Sequence, residues 1–293
     1  MSKKILITGA NGQLGRALQQ LYAGNDDYEL LLTDTAEFAG EGVHALDITD
    51  KEAVRSLTEE LAPDYIVNAA AYTNVDGCEV NTDLAYSVNS IGPRNLAEAS
   101  ANLNVPIIHI STDYVFSGEK RTRPYTEFDR PAPESVYGAS KLRGEQFVKG
   151  NTDKWYILRT AWLYGDGKNF VKTMLRLSET KDEITVVDDQ VGSPTSALEL
   201  ARAIAYLIPT DKFGLYHATA EGSCSWAEFA AKIFEMAGKK TKVIPVSTEE
   251  YMKLVPNQAR RPAYSILENQ HFKSATTFMF AEWEDGLKEY LQA

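Results

Sequence analysis

The chain has 293 residues, 44% of them hydrophobic, and a net charge of −11 at neutral pH. That length and apolar content support a large core, either in one α/β domain with an appended lobe or in two modest domains. The acidic balance argues against nucleic acid or a membrane surface as partner, no apolar run is long enough to cross a bilayer, and "MSKKILITG" runs straight into a strand, so a cytoplasmic protein is expected.

Short apolar runs, "KILITG", "YELLLTD", "DYIVNAA", "PIIHIST" and "WYILRTAW", alternate with helix-like segments, the pattern of a doubly wound parallel α/β sheet of the Rossmann type. Beyond "WLYG" the alternation weakens into a strand "ITVV", a helix from about Ser196 to Leu207, and "SWAEFAAKIFEMAG", which opens with a capping box of Ser225 and Glu228. We expect a dinucleotide-binding domain over residues 1–167. Residues 168–293 are expected to form mainly a smaller α/β substrate lobe, interleaved with segments that return to the first domain.

The first strand runs into "TGANGQLG", where Gly9, Gly12 and Gly15 permit a tight turn and close approach of a pyrophosphate, and the helix start offers free N–H groups. Gly9, Asn11, Gly12, Gln13 and Leu14 are the candidate cofactor contacts in this stretch. Asp34 ends the second strand, where a carboxylate accepts hydrogen bonds from ribose hydroxyls and repels a 2′-phosphate. Asp47 and Ile48 of "LDITD" are placed beside adenine, although the same stretch reads equally as a helix N-cap. The third strand ends in "VNAAAYT", where small side chains leave room for a cofactor along Ala70, Ala71, Tyr72 and Thr73, or for close helix packing. "HISTDYVFSG" brings Thr112 and Asp113 to the same carboxyl edge.

Tyr137 and Lys141 of "VYGASK" lie one helical turn apart and leave the same face. At this composition chance supplies about one such pair, so its meaning depends on the strand ends around it. A tyrosine is a poor acid or base at neutral pH, and a neighbouring ammonium lowers its pKa. Lys141 is therefore expected to tune Tyr137 and to hold the nicotinamide ribose, while Thr112 binds a substrate carbonyl. Cys78 and Cys224 lack metal-type spacing and are expected to be buried thiols. His44, His109, His217 and His271 show no ligand pattern, so no protein-held metal is expected.

In that order, "TGANGQLG", "NAAAYT", "STDYVFSG", "YGASK" and "RTAWLYG" resemble the extended short-chain dehydrogenase/reductase family over essentially the whole chain. "STDYVFSG", "RTAWLYG", "DDQVGSPT" and "RRPAYSIL" are similar to its dTDP-4-dehydrorhamnose reductase branch. Sugar-nucleotide dehydratases of the family carry a glutamate where this chain has Tyr114. The resemblance implies NADPH or NADH as cofactor, a dTDP-linked 4-keto sugar as substrate, and reduction of the C4 ketone of dTDP-4-dehydro-L-rhamnose. It implies Thr112, Tyr137 and Lys141 as the catalytic group, with Asp113 and Trp162 on the sugar. Arg261, with Arg260 beside it, is a candidate for the diphosphate. Ala17 stands where some such reductases hold Mg²⁺ through a glutamate at a dimer interface, so a monomer or weak homodimer is expected. The alternatives are reduction of another nucleotide-linked 4-keto sugar, or a non-catalytic role like that of the regulatory subunit of methionine adenosyltransferase.

Overall fold

The computed structural model describes residues 2–255 and 258–293. Strand β1 (Lys3–Thr8) buries Ile5 and Ile7 on one face and Leu6 on the other, because helices cover the sheet from both sides. β2 (Tyr28–Asp34), β3 (Val43–Ala45), β4 (Tyr65–Asn68), β5 (Ile107–Thr112) and β6 (Trp155–Thr160) follow in the chain. The second half adds β7 (Glu183–Val187), β8 (Gly214–His217) and β9 (Lys242–Val246). β8 joins the first six in a seven-stranded parallel sheet of order β8-β6-β5-β4-β1-β2-β3. The chain winds one way from β1 and the other way from β4, so the gap outside Thr8 and Asn68 is the topological switch point of this Rossmann-like fold.

The longer helices that build the two cores include α1 (Gln13–Tyr22), α2 (Lys51–Leu61), α3 (Gly92–Leu103), α4 (Val136–Asn151), α5 (Phe170–Ser178), α6 (Ala197–Leu207) and α7 (Trp226–Met236). Asp50, one carboxylate further along than Asp47, caps α2 by accepting from the N–H groups of Glu52 and Ala53. One face of the sheet packs Leu14 and Leu18 of α1 with Leu200 and Ile204 of α6, and the other packs Val54, Leu96 and Val148 of α2, α3 and α4. α6 thus seals the first core, β8 extends its sheet, and Phe272 and Phe280 join the same core, so segments beyond residue 168 return to the first half.

A second cluster packs α5 and α7 against the parallel pair β7 and β9, around Met174, Ile184, Phe229 and Trp283. The Ser225 capping box forms in both directions: Glu228 N–H donates to Ser225 Oγ at 3.0 Å and Ser225 N–H to Glu228 Oε2 at 2.7 Å. Cys78 and Cys224 are buried and free. Among the described residues no helix is long and apolar enough to cross a membrane.

Candidate active site

At the end of β1 the chain turns through Gly9 at φ +66°, and a Cβ there would lie 2.9 Å from the Ala70 backbone. Only glycine fits both the left-handed turn and this approach to the end of β4. α1 then begins at Gly12 with no side-chain cap, which leaves its first N–H groups for an anion. Gln13 spends its side chain elsewhere, accepting from Gly165 N–H at 2.8 Å, and Leu14 is a core residue, so both could serve a phosphate only through their backbone. Asn11 donates its N–H to Asp34 Oδ2 at 2.8 Å, and Thr35 N–H donates to Oδ1 at 2.9 Å. The Asp34 carboxylate is thereby oriented at the tip of β2, beside the glycine loop. This cradle fits a dinucleotide.

Asp47 is exposed and accepts from Thr49 N–H at 2.9 Å, a local turn. Ile48 is 4% exposed, and its side chain fills the space that a Cβ on Gly92 would need. The side chain expected beside adenine is therefore a core contact of α3. Ala70, Ala71 and Tyr72 continue from β4 half-buried, with Thr73 exposed. Asn89, fully buried, grips this segment. Its Oδ1 accepts from Tyr72 N–H at 2.9 Å, and its Nδ2 donates to Tyr72 O at 3.0 Å and Ser140 Oγ at 3.1 Å. It sits in a π-helical turn, Ser87–Ile91, where Pro93 has no N–H to return to the carbonyl four residues back. Sequence periodicity did not reveal Asn89; the only trace is the proline in "NSIGP".

Ser135 caps α4, accepting from Gly138 N–H at 3.1 Å. A Cβ on Gly138 would lie 2.1 Å from Tyr114 O, so this glycine lets the helix start press onto the turn after β5. The contact puts the half-buried Tyr137 phenol close to Thr112 and edge-on to Tyr114, with ring centroids 5.4 Å apart. Thr112 Oγ1 donates to Asp113 Oδ1 at 2.9 Å. Asp113 Oδ2 is buried without a hydrogen-bond partner, and burial pushes this carboxyl up to about 6.

Lys141 is 3% exposed and donates from Nζ to Ile110 O at 2.6 Å. Burial pushes its ammonium down to about 8, against the favourable charge of Glu145. For Tyr137, burial is the largest influence and raises the phenol, Thr112 lowers it and Asp113 raises it, while the Lys141 ammonium is turned onto the Ile110 carbonyl.

A cavity of about 980 Å³ is walled by Tyr114, which packs on Tyr137, together with Thr73, Asp76, Phe170, Trp226 and Arg261. Arg261 Nη2 donates to Asp76 Oδ2 at 2.7 Å, while Nη1 is buried without a partner; exposed Arg260 pairs with Glu134. Trp162 has φ +48° and stacks on Trp226, and a Cβ on Gly192 would strike its indole. The indole that lines the cavity is Trp226, with Trp162 behind it. Trp226 was legible in the sequence only as the first helical residue after the Ser225 cap.

The glycine turn after β1, the buried Thr112 and Lys141 with the half-buried Tyr137, and the cavity that Tyr114 helps to line form the candidate site, and the whole-chain comparison assigns the lineage of the chain. Residues 3–293 match the model of the RmlD substrate binding domain family. The chain belongs to this family. A spore coat polysaccharide biosynthesis protein of Bacillus subtilis, SpsK, is 42% identical over 99% of this chain and 97% of its own. Among solved structures of family relatives, a dTDP-4-dehydrorhamnose reductase from Clostridium acetobutylicum superposes with a TM-score of 0.92 at 48% identity, over 99% of this chain and 98% of its own. One from Bacillus anthracis, solved in complex with NADP, gives 0.91 at 44% identity over 100% and 99%. The resemblance read from the motifs therefore holds at the level of family and fold.

Proposed function

We propose that this chain reduces the C4 ketone of dTDP-4-dehydro-L-rhamnose to dTDP-L-rhamnose with NADPH or NADH. The observation that supports the reading is the grouping of buried Thr112 and Lys141 with half-buried Tyr137, whose ring packs on Tyr114 at the cavity wall. The full-length likeness to reductases of that name supports it.

When bound, the reduced nicotinamide supplies the hydride that goes to the sugar C4. Gly9, Asn11, Gly12, Gln13 and Leu14 present backbone N–H groups and open space to the diphosphate, Asp34 faces the adenosine ribose, and Ala70 to Thr73 flank the nicotinamide end. Asp47 borders the adenine site at its exposed rim, and Ile48 supports that rim from within the core. Thr112 holds the ketone oxygen by turning to it the hydroxyl proton that otherwise goes to Asp113 Oδ1. Tyr137, kept protonated by its burial, gives its proton to that oxygen as negative charge develops. Lys141 stabilises the phenolate left behind, once cofactor or proton transfer draws it from the Ile110 carbonyl. The unpartnered oxygen of Asp113 accepts from a sugar hydroxyl, Arg261 meets the substrate diphosphate, and Trp226 backed by Trp162 forms the apolar wall.

In this reading residues 1–167, completed by α6 and β8, bind cofactor, and most of 168–293 binds substrate. The enzyme works in the cytoplasm as a monomer or weak homodimer, since Ala17 offers no ligand to a bridging metal. Following NAD(P)H absorbance with dTDP-4-dehydrorhamnose and with other nucleotide-linked 4-keto sugars tests the reading. Absence of turnover with all of them would sink it.

A further inference from the structure

Tyr137, Lys141 and Glu145 form an i, i+4, i+8 stripe on α4, and three consecutive residues of β5 face it. Thr112 approaches Tyr137, the Ile110 carbonyl accepts from Lys141 Nζ at 2.6 Å, and Ser111 Oγ donates to Glu145 Oε1 at 2.6 Å. Glu145 is fully buried and also takes both arms of the buried Arg159 guanidinium from β6, Nε at 2.8 Å and Nη2 at 2.7 Å. A fully buried ion pair is a costly way to fill a core; aliphatic residues of equal volume are commonly neutral or stabilising. Its position one turn behind Lys141 suggests what it contributes.

We propose that Glu145 is a positioning residue for the reduction: it locks the register of β5 against α4 and serves as the counter-charge of the Lys141 ammonium. The inference rests on the reading of Lys141 given above. The other titratable groups on the surrounding elements do not fill this role. His109 of β5 is held neutral, by burial first and by the Lys141 charge second. Asp113, Tyr114 and Cys78 act on Tyr137. Arg159 of β6 and Lys149 of α4 are both paired to Glu145, and Arg94 of α3 to Glu98.

The test is the pH profile of kcat/KM with the dTDP-linked 4-keto sugar for wild type, Lys141→Met, Glu145→Gln and the double variant Glu145→Gln/Arg159→Met. Glu145→Gln alone strands a buried arginine and is expected to lose stability for that reason, whereas the double variant removes that arginine with its partner and leaves, among buried charges, only the Lys141 ammonium without its counter-charge, which is the effect the profile reads. A melting curve for each separates stability from chemistry. The double variant is expected to fold and to lose activity on the alkaline side about one pH unit earlier than wild type, the size of effect expected for loss of a nearby opposite charge. Its KM for cofactor should stay within roughly two-fold, because the cofactor contacts are untouched. A folded double variant with the wild-type alkaline limb would reduce Glu145 to a core residue and overturn the proposal. If Lys141→Met retains turnover, the reading of Lys141 falls and the proposal with it. If Lys141→Met is inactive and the limb does not move, only the inference about Glu145 fails.

Discussion

Trp162 and Trp226 stack with ring centroids 3.6 Å apart and planes within 9°. One indole is thus a support and the other a surface. Trp226→Ala should weaken binding of the dTDP-sugar by about ten-fold or more, through lost apolar contact, while NAD(P)H affinity measured by fluorescence titration stays within a few-fold. Trp162→Ala should chiefly lower the melting temperature, by an amount equivalent to about 2 to 4 kcal/mol, since the Gly192 backbone and the Trp226 ring lose their packing together. Equal loss of both ligands in Trp226→Ala would remove it from the substrate wall.

Tyr137→Phe keeps the ring that packs on Tyr114 and deletes only the hydroxyl facing Thr112. Turnover should fall by about 10² to 10⁴, the usual worth of a positioned acid, with cofactor affinity unchanged. A variant with more than half the wild-type kcat would exclude the phenol as proton donor.

Asp34 is held by two backbone N–H groups, so its charge is fixed at the tip of β2. Asp34→Ala should shift the ratio of kcat/KM for NADPH over NADH upward, because a carboxylate disfavours the 2′-phosphate and binds the free ribose hydroxyls. The ratio measured at two ionic strengths checks the electrostatic origin, and an unchanged ratio places Asp34 outside the ribose site.

Asp113 links function to stability. Burial raises its folded pKa to about 6, above the ordinary aspartate value of about 3.9, so between these values the folded protein binds more protons than the unfolded chain. The ionised side chain therefore destabilises the fold above about pH 6, and the penalty is relieved as pH falls through that window to about 4. Asp113→Asn should be more stable than wild type at pH 8 by on the order of 1 to 3 kcal/mol, with the difference vanishing near pH 4 and activity sharply reduced. Denaturant midpoints of the two proteins across this range would contradict the account if they ran parallel.

The alternation of apolar runs with helical segments was enough to establish the parallel sheet, its carboxyl edge and the glycine loop, because strand burial, helix caps and tight turns depend on residues close in the chain. Gly9, Thr112, Tyr137 and Lys141 were legible for the same reason: each sits at a strand end or at a helix spacing that local geometry already constrains. What the tertiary structure decided are relations between distant segments. Ile48 went to the core because it meets Gly92, and the cavity wall went to Trp226 because Trp162 lies behind it in a left-handed backbone. Asn89 clamps Tyr72 from a π turn that no hydrophobic period announces. The protonation of the site was likewise beyond the sequence. Whether Lys141 acts on Tyr137 or on the Ile110 carbonyl, and whether burial outweighs charge, depends on distances and desolvation that exist only once β5 and α4 are packed together.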